Sequence, residues 1–155
     1  MKTAIKNDTA AEQEPLTEKT AAEDHLSGKG RILFMDDENI VRVVASHMIN
    51  GLGYETVCAE NGEQALEKYS DAAKAGKPFD AVILDLSIRG GMGGKETVKR
   101  MAELYPSVRA IVSSGYSSGD ILANYGEHGF VAVLSKPYQI EELNRVLHEA
   151  LRKEN

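Results

Sequence analysis

Short apolar runs alternate with stretches of helical periodicity between residues 30 and 153, and this alternation restricts the folds open to the chain. The predicted strands span residues 32–35, 54–59, 81–84, 108–112 and 130–134. A helical pattern follows each strand, and the weakest one lies within residues 113–129. Parallel neighbours in a sheet need crossover connections, which are usually helical. The pattern therefore predicts an α/β fold in which a five-stranded parallel sheet carries helices on both faces.

Two of the helical patterns have clear landmarks in the sequence. The first helix is marked by apolar residues at helical spacing, namely Ile40, Val44, Met48 and Leu52. The second follows Asn61, a residue type that caps helix N-termini well, and ends near Gly76. Within the weak stretch 113–129, the pattern predicts at most a short helix between residues 120 and 125.

The domain boundary is placed by a change in composition near residue 30. Residues 1–29 are rich in Ala, Thr, Glu, Lys and Asp without a sustained period, which predicts a disordered tail or a linker. Residues 30–153 are predicted to form one folded domain, because 155 residues suffice for one domain of ordinary size.

Composition narrows the possible functions. The chain carries 18 basic and 24 acidic residues and a formal net charge of −6, which disfavours direct binding to nucleic acid or to anionic lipid. Its apolar runs are far shorter than a membrane span, so a cytoplasmic location is expected. Cys58 is the only cysteine and is expected to be a small buried residue.

Polar residues follow four of the predicted strands. Asp36 and Asp37 follow the first strand and Asp85 follows the third. Ser113 and Ser114 follow the fourth strand, and Lys136 follows the fifth. Ligands of open α/β sheets gather at the carboxyl ends of the strands. These side chains are therefore predicted to converge.

Three clustered carboxylates call for a cation. Carboxylates about 4 Å apart repel each other by roughly 4 kcal/mol at an effective dielectric near 20. Oxygen ligands on a partly hydrated site suit Mg²⁺. Beside such a cation Asp85 can attack phosphorus and form an acyl phosphate, while Lys136 balances charge on the transferring oxygens and a serine hydroxyl donates to one of them.

Four motifs in order resemble the response-regulator receiver family over residues 31–152. They are Met35-Asp-Asp-Glu38, Leu84-Asp-Leu86, Ser114-Gly-Tyr116 and Ser135-Lys-Pro-Tyr138. The resemblance implies a flavodoxin-like doubly wound sheet of strand order 2-1-3-4-5. It also implies two-component signalling, in which a histidine kinase or phosphotransfer protein phosphorylates the chain, and the chain acts on a downstream protein that the sequence does not identify.

The resemblance assigns roles to individual residues. It implies that Asp85 is the phosphoacceptor and that Mg²⁺ is held by Asp37, Asp85 and the backbone carbonyl of Ser87, with Asp36 acting largely through water. It implies that Ser114 is the switch hydroxyl and that Lys136 contacts the phosphoryl group. The bond from Lys136 to the following proline is expected to be cis.

Several positions depart from the family pattern. Arg89 occupies a position at which receivers often carry proline, in a glycine-rich loop, so partner recognition on that side is expected to be specialised. Val133 stands where many receivers place an aromatic switch residue. The family pattern also ties the dephosphorylation rate to the positions of Ser87 and Tyr116.

Alternative functions remain open from the sequence. The chain is expected to be a phosphoacceptor that assists its own phosphorylation and slow dephosphorylation, not an enzyme. It is either a stand-alone receiver or a unit like those of hybrid sensor kinases. The alternatives are a receiver-like interaction module that works without phosphorylation, and a Mg²⁺-dependent phosphatase with an aspartyl nucleophile. Such phosphatases usually place a second acid two residues after the nucleophile, and here that residue is Ser87.

Overall fold

A parallel β-sheet forms the centre of the computed structural model, which describes residues 29–115 and 119–152. The strands are β1 (Arg31–Met35), β2 (Glu55–Ala59), β3 (Ala81–Asp85), β4 (Ala110–Ser114) and β5 (Phe130–Ser135). Their order in the sheet is β2-β1-β3-β4-β5, and every neighbouring pair is parallel. The predicted flavodoxin-like order is confirmed.

Helices connect the strands as predicted. They are α1 (Asn39–Gly51), α2 (Gly62–Lys74), α3 (Gly94–Leu104), α4 (Gly119–Ala123) and α5 (Ile140–Leu151), and a 3₁₀ helix (Tyr125–His128) follows α4. The Asn61 side chain caps α2 by accepting a hydrogen bond from the backbone N–H of Gln64 at 2.9 Å. Among the described residues, no helix is both long and apolar enough to cross a membrane.

The sheet buries an apolar layer on each face because strand side chains alternate in direction. In β1, Ile32 and Phe34 pack in a cluster with α1 and α5, whereas Leu33 and Met35 pack in a second cluster with α2 and α3. All four side chains are completely buried. The near-continuous apolar run of this strand is what a central parallel strand, covered on both faces, requires.

Strand β4 lies two residues later in the chain than the sequence pattern indicates. Residues 105–108 form a turn in which the Val108 N–H donates to the Tyr105 carbonyl. The strand then continues through Ser114, which pairs with Ser135 in β5. Ser113 and Ser114 therefore lie at the end of the strand, and the prediction that they follow it was wrong.

The apolar positions of α1 are only partly buried. Ile40 is 67% exposed and Val44 is 46% exposed, whereas Ala45 and Ile49 are buried against the sheet. Their spacing is helical, but the sheet covers the neighbouring stripe of the helix. Ile40 and Val44 thus form an exposed apolar patch at the carboxyl edge of the sheet.

The glycine-rich loop after β3 returns very close to the strand it leaves. A Cβ atom at Gly94 would lie 2.7 Å from the carbonyl oxygen of Asp85, and one at Gly93 would lie 2.8 Å from that of Leu86. These distances are too short for any side chain, so glycine is required at both positions. The close return holds residues 87–92 beside the ends of β1 and β3.

Candidate functional site

Three carboxylates converge at the carboxyl edge of the sheet. Asp36 and Asp37 follow β1 directly, and Asp85 is the last residue of the neighbouring strand β3. One carboxylate oxygen from each lies within 4.8 Å of the others. Asp36 is fully buried, Asp85 is 2% exposed and Asp37 is half-buried. The predicted convergence of these three side chains is present in the structure.

Lys136 reaches this cluster from the end of β5. Its ammonium lies 2.8 Å from Oδ2 of Asp36 and 3.4 Å from Oδ1 of Asp85. The Lys136 backbone N–H donates to the carbonyl of Ser114 at 3.0 Å, which extends the pairing of β4 and β5 by one bond. The bond from Lys136 to Pro137 is cis, as expected.

The electrostatic balance of the cluster favours an additional cation. Burial and, to a lesser extent, the charge of Asp36 raise the pKa of Asp85, Lys136 partly opposes both, and the net result is a pKa of about 6. Burial lowers the pKa of Lys136, but its hydrogen bonds and charge interactions with Asp36 and Asp85 outweigh this and raise the pKa above its usual value. One ammonium, that of Lys136, thus faces the two buried carboxylates of Asp36 and Asp85. Because one positive charge cannot balance two negative charges, Asp85 loses its proton less readily than usual.

Asp37 has a different partner, which the sequence did not reveal. Oδ2 of Asp37 accepts hydrogen bonds from the backbone N–H of Arg89 at 3.0 Å and from its Nε at 3.2 Å. A second guanidinium nitrogen lies 3.5 Å from Glu38. Burial works against ionisation of Asp37, but the Arg89 hydrogen bonds and charge hold its pKa below the usual value. The only sequence signal was the unusual arginine itself.

The donor set fits a hydrated divalent cation. Oδ1 of Asp36 accepts from the Glu38 N–H at 2.9 Å. Oδ2 of Asp36 is buried and, among the described residues, faces the Lys136 ammonium without a hydrogen bond from any other group. A buried oxygen with spare capacity, beside the carboxylates of Asp37 and Asp85, is the oxygen-rich and partly open arrangement that Mg²⁺ uses.

Ser87 lies in the exposed loop that follows β3. Its backbone N–H helps to lower the pKa of the Asp85 carboxyl, but this effect does not offset burial. The predicted role of its carbonyl as a metal ligand stays a prediction.

Two serines end strand β4, and their hydroxyls have different surroundings. The Ser113 hydroxyl is hydrogen-bonded to the hydroxyl of Tyr138, and burial raises the pKa of that tyrosine. The Ser114 hydroxyl donates to the carbonyl of the next residue, Gly115, at 2.8 Å. A bond of this local kind is easily exchanged, and the role of Ser114 as the switch hydroxyl stays a prediction. The Tyr138 contact was not foreseen in the sequence.

Two further predictions concern Val133 and Tyr116 and relate to the predicted switch hydroxyl. Val133, at the position where many receivers carry an aromatic switch residue, is half-buried and packs against the second apolar cluster. Tyr116 lies outside the described residues.

A family model for the response regulator receiver domain matches residues 32–148. The chain is 33% identical over 121 residues to sporulation initiation phosphotransferase F of Bacillus subtilis, an alignment covering 78% of this chain and 93% of that protein. It is also 33% identical over 120 residues to the transcriptional regulatory protein ZraR of Klebsiella oxytoca, covering 77% of this chain but 26% of that protein. It thus spans nearly all of the first relative and about a quarter of the second.

Solved structures agree with these sequence matches at the level of the fold. A receiver domain protein from Clostridium thermocellum superposes with a TM-score of 0.72 at 20% identity. The superposition covers 79% of this chain and 94% of the other.

Proposed function

Because the chain belongs to the response regulator receiver family, we propose that Asp85 accepts a phosphoryl group in two-component signal transduction. The observation that carries this assignment is the position of its carboxylate. It is nearly buried, it shares a 4.8 Å cluster with Asp36 and Asp37, and the Lys136 ammonium lies 3.4 Å away.

The transfer step follows from these groups. A carboxylate oxygen of Asp85 forms a bond to phosphorus while the bond from phosphorus to the donor's imidazole nitrogen breaks. The imidazole leaves with the electron pair and takes its next proton from solvent. Although burial raises the pKa of Asp85 to about 6, most of the carboxyl is ionised at neutral pH and can act as the nucleophile. Lys136 stabilises negative charge on the transferring oxygens.

A magnesium ion would be held by Asp37 and Asp85, with the Ser87 carbonyl as a third protein ligand and Asp36 acting through water. When bound, it supplies positive charge to the phosphoryl oxygens and orients them. Ser114 then exchanges its bond to the Gly115 carbonyl for a bond to one phosphoryl oxygen. Because position 133 is a valine and not an aromatic residue, another part of the surface would have to change conformation when the Ser114 side chain rotates.

The partner we propose is a histidine kinase or phosphotransfer protein in the cytoplasm, where kinases draw on ATP. The chain then acts on a further protein without binding nucleic acid itself, in line with its net charge of −6. We propose that residues 30–153 form the receiver and that residues 1–29 serve as a tail or linker. Position 87, where an aspartyl phosphatase usually carries its second acid, is a serine in this chain. We therefore expect the phosphoryl group on Asp85 to be hydrolysed only slowly.

An apolar groove beside the site offers the donor a place to dock. It has a volume of about 390 Å³, and its lining includes Ile40, Val44, Gly115, Lys136 and Pro137. Lys136 belongs to both the groove and the carboxylate cluster. When a histidine of the donor protein approaches Asp85 from solvent, the donor helix that carries this histidine would lie over the groove. Apolar residues on that helix would then bury Ile40 and Val44.

Replacing Ile40 with aspartate is expected to slow phosphotransfer from a phosphorylated histidine phosphotransfer protein by about tenfold. The estimate corresponds to roughly 1.5 kcal/mol of lost apolar burial in the encounter. The matched control is Leu104→Asp in α3, since Ile40 and Leu104 are 67% and 66% exposed. Equal rates for the two variants would contradict the docking surface. Labelling by acetyl phosphate is expected to remain at the wild-type rate in both.

The proposed function is tested by incubating the chain with acetyl phosphate and Mg²⁺ and measuring its intact mass. We expect the mass of one phosphoryl group to appear, to be removed by hydroxylamine as an acyl phosphate should be, and to be missing when EDTA replaces Mg²⁺. An unmodified mass under all conditions would support the interaction module that works without phosphorylation. Continuous release of inorganic phosphate at a high rate would support the phosphatase.

A further inference from the structure

Arg89 occupies the approach to the carboxylate cluster. Its backbone N–H and its Nε both donate to one oxygen, Oδ2 of Asp37, at 3.0 Å and 3.2 Å. A further nitrogen of the guanidinium lies 3.5 Å from Glu38. The Arg89 side chain is nevertheless 79% exposed, so it can leave without disturbing the core.

We propose that Arg89 is a built-in counter-ion that competes with the divalent cation for Asp37 and so weakens metal binding. This inference rests on the proposed function, because that function makes Asp37 a metal ligand. The positive guanidinium satisfies part of the charge that a cation would otherwise neutralise. The cation must then either share Asp37 with Arg89, at a repulsive cost, or displace the side chain.

The backbone contact explains why the side chain acts against the cation and not for it. A side chain that merely held Asp37 in place would assist metal binding, and its removal would weaken affinity. Here the backbone N–H of Arg89 makes its own bond to Oδ2 of Asp37, and this bond persists whatever side chain occupies position 89. Removing the guanidinium therefore leaves Asp37 positioned and takes away only the competing charge.

The loop makes the competition local to this site. The close approach of Gly94 to the Asp85 carbonyl fixes the end of the loop, which keeps residue 89 next to Asp37. Displacement of Arg89 by a cation would therefore change the exposed surface between β3 and α3. Metal binding and the conformation of this loop are thus coupled. The free energy by which bound metal shifts the loop conformation equals the free energy by which that conformation shifts metal affinity.

The test is a calorimetric titration of the whole chain with MgCl₂ in low-salt buffer. Arg89→Gln is expected to lower the dissociation constant about three- to fivefold, equivalent to about 0.6 to 1 kcal/mol for an exposed ion pair. Arg89→Lys keeps the charge and is expected to stay within about twofold of wild type. The gain in Arg89→Gln is expected to shrink as KCl is added, because salt screens exposed charges.

The matched control is Arg100→Gln. Arg100 is also exposed and paired, with Glu96 at 2.6 Å on α3, and its replacement changes the net charge by the same amount. Its Mg²⁺ affinity is expected to equal that of wild type. An Arg89→Gln dissociation constant that is unchanged or larger would overturn the proposal, as would an equal gain in Arg100→Gln.

A second measurement follows the arginine itself. In a ¹⁵N spectrum, the Nε–H signal that is lost in Arg89→Lys identifies this side chain. We expect saturating Mg²⁺ to shift that signal toward the position of a solvated arginine, and an unmoved signal would overturn the proposal. Both measurements report metal binding without phosphorylation, so a chain that binds Mg²⁺ but takes up no phosphoryl group would refute the proposed function and leave this inference standing.

Discussion

Replacing Asp85 with asparagine is expected to abolish phosphoryl labelling of the chain by acetyl phosphate. The amide keeps the shape of the side chain but has no anionic oxygen to form the bond to phosphorus. The nearest other carboxylates do not replace it. Asp36 is fully buried and paired with Lys136 at 2.8 Å, and Asp37 is held by Arg89. Intact-mass measurement after incubation with acetyl phosphate and Mg²⁺ is expected to show unmodified protein.

The control for this variant is Asp71→Asn, which makes the same chemical change at an exposed position on α2. This variant is expected to label at the wild-type rate. A phosphoryl adduct of similar yield in Asp85→Asn would mean that another side chain is the acceptor, and peptide mapping would then identify it. Circular dichroism of both variants checks that the sheet and helices are retained.

The alternation of apolar runs was sufficient to predict the sheet and the edge at which the site lies. Strands buried on both faces need continuous apolar runs, and β1 and β3 carry them without interruption. Once the strands were located, parallel topology brought Asp36, Asp85 and Lys136 to one edge. These residues stand within one position of a strand end, so small boundary errors did not move them away from the site.

The contacts of the loops could not be predicted in the same way. Arg89 reaches Asp37 only because Gly93 and Gly94 let the loop return against the carbonyls of Leu86 and Asp85. Such a path depends on close backbone approach, which has no periodic signature in the sequence. The bond between Ser113 and Tyr138 was missed for a related reason, since Tyr138 lies in the loop between β5 and α5.

The exposure of apolar residues on α1 has a physical cause that bears on function. Helical spacing identifies an apolar stripe but not the direction in which that stripe faces. In α1 the sheet covers Ala45 and Ile49, and the apolar side chains of Ile40 and Val44 remain at the surface next to Lys136. Large exposed apolar side chains beside a reactive site are typical of a docking surface. We assign this exposed part of the helix, Ile40 and Val44, to docking of the phosphoryl donor.

Asp85→Asn is also expected to stabilise the metal-free chain at neutral pH, by about 2 kcal/mol relative to wild type. Burial and the charge of Asp36 raise the pKa of Asp85 to about 6 in the folded chain, above the usual value of 3.8. Between these two pH values the folded state binds more protons than the unfolded state, so the stability of wild type falls as pH rises. The full shift would give roughly 3 kcal/mol, and solvent screening just beneath the surface reduces it.

The variant lacks this titration, so the difference in free energy of unfolding between Asp85→Asn and wild type should be small at pH 4. It should grow up to about pH 6 and then level off. Urea unfolding in EDTA at a series of pH values measures it, with Asp71→Asn as the exposed control for the same chemical change. A difference that does not change between pH 4 and 7 would contradict the raised pKa. In the proposed site Mg²⁺ is held by the ionised carboxylate of the folded state, so adding it is expected to stabilise wild type more than the variant and to reverse much of the difference.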